Sequence, residues 1–321
     1  NSTLWIPPVY FTTGTHADNG TRFVDVNGDG TTDIVEDFFN SSVSARGAWI
    51  NNGSGWISNT TWQAPEAFTS SGHNIGRRLA DVNGDGFVDL VVSHQDSTQQ
   101  YTWRKNNTMP YLLSVIRNEY GGETTLNYTS STRYNNTDED GLSDIGFGVY
   151  VVTNMSTENG VTGAFAVASL VSYNYSYGKY NYPNSEFRGF GIAVEGRPAS
   201  LVTHYFYQDD PRRGKEFRQI VADRSGLNYS KSEQDFNYTF SSGIYNVSLR
   251  SSTSYLFDGL ALPKVTNISY LYDVYDNPIL VHEFGDVNAT GDERTWNYSY
   301  AVDTYDWFLD RRARETLLDA N

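Results

Sequence analysis

The apolar residues of this chain fall in short runs separated by turn-forming residues. Phe23-Val24 and Ile34-Val35 flank one Gly- and Asp-rich stretch, and Leu79-Ala80 and Leu90-Val91-Val92 flank another. Trp49-Ile50-Asn51-Asn52-Gly53-Ser54-Gly55-Trp56 reads as strand, turn, strand. From Tyr111 to Tyr128 an apolar run, a Gly121-Gly122 turn and an alternating stretch form a hairpin signature. Tyr150-Val151-Val152-Thr153, residues 162–177 and Val202-Thr203-His204-Tyr205-Phe206 continue the pattern. Runs this short beside turns predict strands rather than helices. The longest, Ala164 to Val171, has the length of one buried strand, well below the ~18 apolar residues of a membrane helix. The pattern predicts an all-β chain with no membrane insertion.

The two flanked stretches are near copies. Asp25-Val26-Asn27-Gly28-Asp29-Gly30-Thr31-Thr32-Asp33 returns as Asp81-Val82-Asn83-Gly84-Asp85-Gly86-Phe87-Val88-Asp89, and Gly20 and Gly76 precede them at equal offset. Both read D-x-N-x-D-G-x-x-D. Oxygen side chains at positions 1, 3, 5 and 9, with a carbonyl at position 7, suit a hard cation such as Ca²⁺. The expected ligands are Asp25, Asn27, Asp29, the Thr31 carbonyl and Asp33 in one loop. In the other they are Asp81, Asn83, Asp85, the Phe87 carbonyl and Asp89. A metal-free Asx-rich turn uses the same residue types. The duplication, and the mutual repulsion of three carboxylates in one short loop, argue for an ion. An EF-hand is a poor fit: Glu36 stands at position 12 of the first loop but Val92 at that position of the second, and the flanks read as strands.

These loops with strand flanks, and the 49–56 hairpin, resemble the FG-GAP/VCBS repeats, calcium-bearing blade units of β-propellers. The resemblance covers residues 1 to about 108. Two repeats cannot close a propeller of about four or more blades, so they are expected to pack on the rest of the chain. The polar run Arg104-Lys105-Asn106-Asn107-Thr108 and Pro110 mark a boundary. That gives two domains, 1–108 and 109–321.

The second part carries another resemblance. Glu186-Phe187-Arg188-Gly189-Phe190-Gly191, then Thr203-His204-Tyr205-Phe206-Tyr207-Gln208-Asp209-Asp210 and Arg213-Gly214, look like the shell segment of toxin-complex B subunits and related Rhs/YD-repeat toxins. Tyr270-Leu271-Tyr272-Asp273-Val274-Tyr275-Asp276-Asn277 resembles a YD repeat, with Asp276 in place of the usual turn glycine. The resemblance implies an antiparallel β-hairpin sheet forming part of a cage around a C-terminal toxic polypeptide. The chain ends mid-hairpin at Leu317-Leu318-Asp319-Ala320-Asn321, so a following repeat or a neighbouring subunit is expected to pair with its last strand.

Composition narrows the function. The 321 residues carry 38 Asp and Glu against 23 Lys and Arg, a net charge of −15, which argues against a nucleic-acid partner. The 24 Tyr, 17 Phe and 7 Trp suit half-buried pleated sheets. Cysteine is absent, so disulfides and thiol chemistry play no part. The chain begins at Asn1 without a signal peptide, as a processed form or fragment would.

Asn-x-Ser/Thr sequons are abundant. They stand at Asn1, Asn19, Asn40, Asn52, Asn59, Asn106, Asn127, Asn135, Asn154, Asn174, Asn228, Asn237, Asn246, Asn267, Asn288 and Asn297. With 28 Asn and 60 Ser plus Thr, chance gives about five. N-linked glycans and an extracellular or cell-surface location are therefore expected. In Asn-Tyr-Ser/Thr, strand alternation puts Asn and the hydroxyl on one face and Tyr on the other.

No catalytic residue is expected. His16, His73, His94, His204 and His282 lack metal spacing, and His204 reads as a structural strand residue. No nucleophile elbow or phosphate loop appears. Asp209-Asp210 with Arg212-Arg213 read as a charged turn, and Thr137-Asp138-Glu139-Asp140 as a solvated loop. The leading expectation is a non-enzymatic, secreted, calcium-binding glycoprotein scaffold: a surface coat, adhesin or extracellular filament subunit. Its partners would be further copies, a longer chain, or an extracellular glycan or protein. The alternative is the shell segment of an Rhs/toxin-complex B-like protein. A carbohydrate-active propeller enzyme needs a convergent carboxylate funnel that the sequence lacks.

Overall fold

The computed structural model describes residues 5–40, 43–95, 98–105, 109, 111–137, 141–257 and 260–318. Among them the chain is strand and turn with short 3-10 turns and no α-helix, as the apolar pattern predicts. Among the described residues no helix is long and apolar enough to cross a membrane. The chain divides into two units, Asn1–Ser114 with Phe147–Tyr150, and Val115–Gly146 with Val151–Asn321.

The first unit holds two sheets. One is built from β1 (Thr21–Val24), β2 (Asp33–Phe39), β3 (Ser44–Asn51), β4 (Trp56–Ser58), β5 (Thr69–Ser70) and β6 (His73–Asn74). Its order is β4-β3-β2-β5-β6, with β1 also on β2. The other has β7 (Arg77–Ala80), β8 (Asp89–His94) and β9 (Gln99–Trp103), in that order. These six- and three-stranded sheets, the first containing a parallel β2–β5 pair, differ from the four-stranded blades expected from the repeats. The duplication is nonetheless structural: Val24 pairs with Asp33 as Ala80 pairs with Asp89. One core serves both copies, with Val24, Val35, Ala48, Ala64 and Phe68 packed with Leu90 and Val92.

The second unit is a single antiparallel sheet of thirteen strands in strict chain order. Its strands are β10 (Val115–Arg117), β11 (Glu123–Ser130), β12 (Tyr150–Glu158), β13 (Ala168–Asn181), β14 (Glu186–Gly196), β15 (Ser200–Phe206) and β16 (Glu216–Asp223). They continue as β17 (Asn228–Ser241), β18 (Ile244–Leu256), β19 (Lys264–Tyr272), β20 (Pro278–Asp286), β21 (Arg294–Asp303) and β22 (Phe308–Leu318). Most strands join the next by a short turn, whereas β11 and β12 are linked by the longer stretch 131–149, and each strand pairs with its neighbours in sequence. Buried apolar side chains are few among the described residues of this unit: Ile145, Val151 and Val202.

Candidate functional site

The two acidic loops fold alike. Asp25 accepts the backbone N–H groups of Gly28, Asp29 and Gly30 at 2.7, 3.2 and 2.8 Å. Asp81 accepts those of Gly84, Asp85 and Gly86 at 2.8, 3.1 and 2.7 Å. Asn27 accepts from the Asp29 N–H and donates its amide to the Asp29 carboxylate, and Asn83 does the same with Asp85. Asp29 takes the Thr31 N–H and hydroxyl, and Asp85 the Phe87 N–H. Asp33 and Asp89, both fully buried, close the loops by accepting from Val26 and Asn51 and from Val82 and Lys105. Each sequence-predicted side-chain ligand is thus placed in its loop and bonded to an N–H, the pattern of a self-closed Asx turn. The donors are all oxygens, the right kind for a hard cation. They do not converge: among the described residues no three His, Cys, Asp or Glu side chains are grouped to hold a metal.

Charge in the first loop is balanced from within the unit. The Lys105 ammonium donates to the Val26 carbonyl and lies 3.4 Å from the centre of the Trp62 ring. Burial pushes its pKa down to about 8, against the pull of Asp25 and Asp33. Burial, reinforced by Asp29 and Asp25, raises the Asp33 carboxyl despite its two N–H donors. The loops touch each other: a Cβ on Gly28 would stand 2.5 Å from the Phe87 ring. Tyr150, which belongs to the same unit, donates its hydroxyl to the Asp85 carbonyl.

A second cluster escaped the sequence reading. Glu66 accepts from Arg77 at 2.9 Å, from Trp103 at 2.7 Å and from the Tyr101 hydroxyl. Burial pushes its carboxyl up, but these donors outweigh it and leave the pKa lowered. The aromatic-rich end of β9 offered a weak signal, but nothing in the sequence aimed it at Glu66.

In the second unit, the Asp209–Arg213 turn is more than exposed pairs. Arg212 binds Asp209 at 2.5 Å and Arg213 binds Glu186 at 2.9 Å. Arg188, almost fully buried, pairs with Asp210 and with Glu186. His204 lies in β15 with Nδ1 3.0 Å from Glu216, and its buried Nε2 makes no hydrogen bond. Asp276 adopts φ 65°, the left-handed geometry that a turn glycine would supply.

The sequon asparagines scatter over both units. Asn52, Asn127, Asn135, Asn174, Asn237, Asn246, Asn288 and Asn297 are exposed; Asn19, Asn40, Asn59, Asn154, Asn228 and Asn267 are half-buried. Asn1, Asn106 and the acidic 138–140 run lie outside the described residues.

The profile of the family described as insecticide toxin TcdB middle/N-terminal region matches residues 52–206. Among solved structures, the TcdB2-TccC3 complex without its hypervariable C-terminal region superposes with a TM-score of 0.70 at 15% identity, over 93% of this chain and 19% of that one. The TcdB2-TccC3 complex itself gives 0.70 at 16% identity over 93% and 20%. A Photorhabdus luminescens Tc holotoxin pore gives 0.67 at 16% over 89% and 18%. No curated protein matches. The fold is toxin-complex B-like. The chain spans about a fifth of the solved chains' length. These matches overturn the leading expectation from sequence, a coat, adhesin or filament scaffold, and favour the shell alternative. The sequon excess and the open last strand, on which that expectation rests, are local features and do not distinguish a self-assembling coat from a segment of a larger shell.

Proposed function

We propose that this chain is a segment of the wall of a hollow β-shell, like that of toxin-complex B proteins, and that the shell encloses a polypeptide. The observation that carries the reading is the thirteen-stranded sheet. Its strands run in chain order, its principal contacts are between sequence neighbours, and few of its apolar side chains among the described residues are fully buried. A sheet stabilised as a globular layer buries one face against a second layer. A sheet that forms a wall gains its stability from pairing along the wall and from what it encloses. The role is mechanical, with no catalytic group assigned. The partner is a C-type polypeptide, by analogy with the TccC3 that accompanies TcdB2 in the matched structures. The sequon excess supports export to the extracellular space. Electron microscopy of the full-length protein tests this: a closed hollow particle is expected, and an open filament or a solid body would sink the reading.

We also propose that the acidic loops take up Ca²⁺ by turning Asp25, Asn27, Asp29 and Asp33, and Asp81, Asn83, Asp85 and Asp89, off their N–H partners. The Thr31 and Phe87 carbonyls would complete each set. The duplicated motif and the oxygen-only donors support this. At ten times Kd, each site would add about 1.4 kcal/mol. Tm is expected to rise in millimolar calcium over chelator, and the rise to vanish in Asp29→Asn/Asp85→Asn. Equal Tm in both conditions would remove the claim.

A further inference from the structure

The strand register places seven of the ten sequons of the second unit on one face. Asn154 pairs with Ser172, Ser172 with Gly196, Gly196 with Leu201, Leu201 with Ala222, and Ala222 with Asn228. Residues paired across antiparallel strands share a face, and residues two apart in one strand do too. Asn174 therefore joins Ser172. Ser176 leads through Ile192, Tyr205, Arg218, Glu233 and Thr253 to Asn267. Asn237 follows from Glu233 along β17, and its sequon hydroxyl, Thr239, pairs with Asn246. Asn297 pairs with Leu280 and so with Leu271, two residues from Ser269, the partner of Ser251. Seven strand positions falling on one face by chance has odds of roughly one in sixty.

The opposite face carries the residues between: Tyr175, Tyr238, Ile268 and Tyr298 at the centres of sequons, with Tyr173, Phe236, Tyr270 and Trp296 beside them. Tyr205 and Tyr255 stay with the asparagines, and so do Phe190 opposite Gly178, Tyr229 beside Asn228, Phe284 beside His282 and Phe308 opposite Asp303, so the aromatic bias between the faces is partial. Along β13 and β21 exposure alternates to match: Asn174 and Asn297 are exposed, while Tyr173, Tyr175, Trp296 and Tyr298 are half-buried.

We propose that the asparagine face is the N-glycosylated outer face of the wall and that the aromatic face turns inward. This rests on the shell reading and gives it an inside and an outside. Transfer joins the asparagine amide nitrogen to the anomeric carbon of a lipid-diphosphate-linked oligosaccharide. That carbon's bond to the diphosphate breaks, and lipid diphosphate and one proton leave. A bulky hydrated glycan is compatible with a wall on its outer side alone, whereas an enclosed chain is met by the apolar rings.

The test uses the full-length protein secreted from a host that N-glycosylates. Mass spectrometry after glycosidase treatment in heavy-oxygen water is expected to find Asn174, Asn237, Asn246 and Asn297 occupied, and the enzyme is expected to strip them from the native particle without opening it. Moving one sequon across the sheet, by Asn297→Gln/Tyr298→Asn/Tyr300→Thr, is expected to abolish secretion of the closed particle. The control Asn297→Gln/Tyr298→Gln/Tyr300→Thr changes the same rings without a sequon and is expected to be secreted. Unoccupied native sites, or a closed particle that carries the moved glycan at the control's yield, would overturn the face assignment. A particle without a cavity would instead sink the shell reading, whatever its glycans.

Discussion

Gly20 and Gly76 show what a sequence offset can and cannot say. Their equal spacing from the acidic loops is visible in the text; its cause is visible in the fold. Both have positive φ, 68° and 76°, and a Cβ would stand 2.3 Å from the Asp37 carbonyl oxygen and 2.0 Å from that of Ser93. Each glycine carbonyl then accepts the N–H of the same distant residue, Asp37 or Ser93. Gly76→Ala is expected to destabilise the first unit by about 1–3 kcal/mol, read as a fall in Tm. The pairing of Glu66 with its aromatic donors was not legible, because Tyr101 and Trp103 lie 35 and 37 residues away. Its lowered pKa has a direction in pH. The folded state holds the carboxylate more tightly than the unfolded chain, so its stabilisation is complete above the ordinary glutamate range and is lost as pH falls through the lower folded value. Thermal melts from pH 7 to pH 3 should show this loss, and Glu66→Gln should flatten it.

At the scale of elements, the strands were legible because alternation and turn residues are local, and the loops because they are duplicated. Their internal closure was not. Whether Asp25 faces an ion or three backbone N–H groups depends on the turn's dihedrals, which D-x-N-x-D-G leaves open. Lys105 was read as part of a polar linker, whereas it returns to the first loop. Lys105→Met keeps the volume and removes the cation beside Asp25 and Asp33, and should lower Tm by about 0.5–3 kcal/mol equivalent in chelator. If the loops take up calcium, the ion should recover most of that loss. The YD-like turn was half legible. Asp273 accepts the N–H groups of Tyr275 and Asn277 at 2.8 and 2.9 Å, as its position in the motif suggests. The buried Asn277 amide also donates to the Leu309 carbonyl at 2.8 Å, tying this turn to the last described strand. Asn277→Ala leaves that carbonyl unpaired and should cost about 1–3 kcal/mol, seen as earlier melting.

At the scale of the whole chain, the two units differ in how they are held. The first has a contiguous core of Val24, Val35, Phe68, Leu90 and Val92. The second is held by ladder hydrogen bonds, cross-strand rings such as Tyr207 with Phe217 at 4.7 Å, and ion pairs such as Arg218 with Glu233 at 2.8 Å. Sequence gives no direct measure of this contrast, because alternation looks the same whether the apolar face meets a second layer or an enclosed chain. Hydrogen exchange does measure it, since amides under buried apolar packing open only with global unfolding, whereas those of a thinly covered sheet open locally. The slowest amides of this chain are expected in β2 and β8, at Ile34, Val35, Leu90 and Val92, with β19 to β22 exchanging markedly faster. On the proposed shell reading the same four strands should become protected in the assembled particle, where a closed wall would cover their aromatic face. Equal exchange of β19 to β22 in the isolated chain and in the assembled particle would mean that this face stays open to water, and a wall around a polypeptide would no longer explain the sheet.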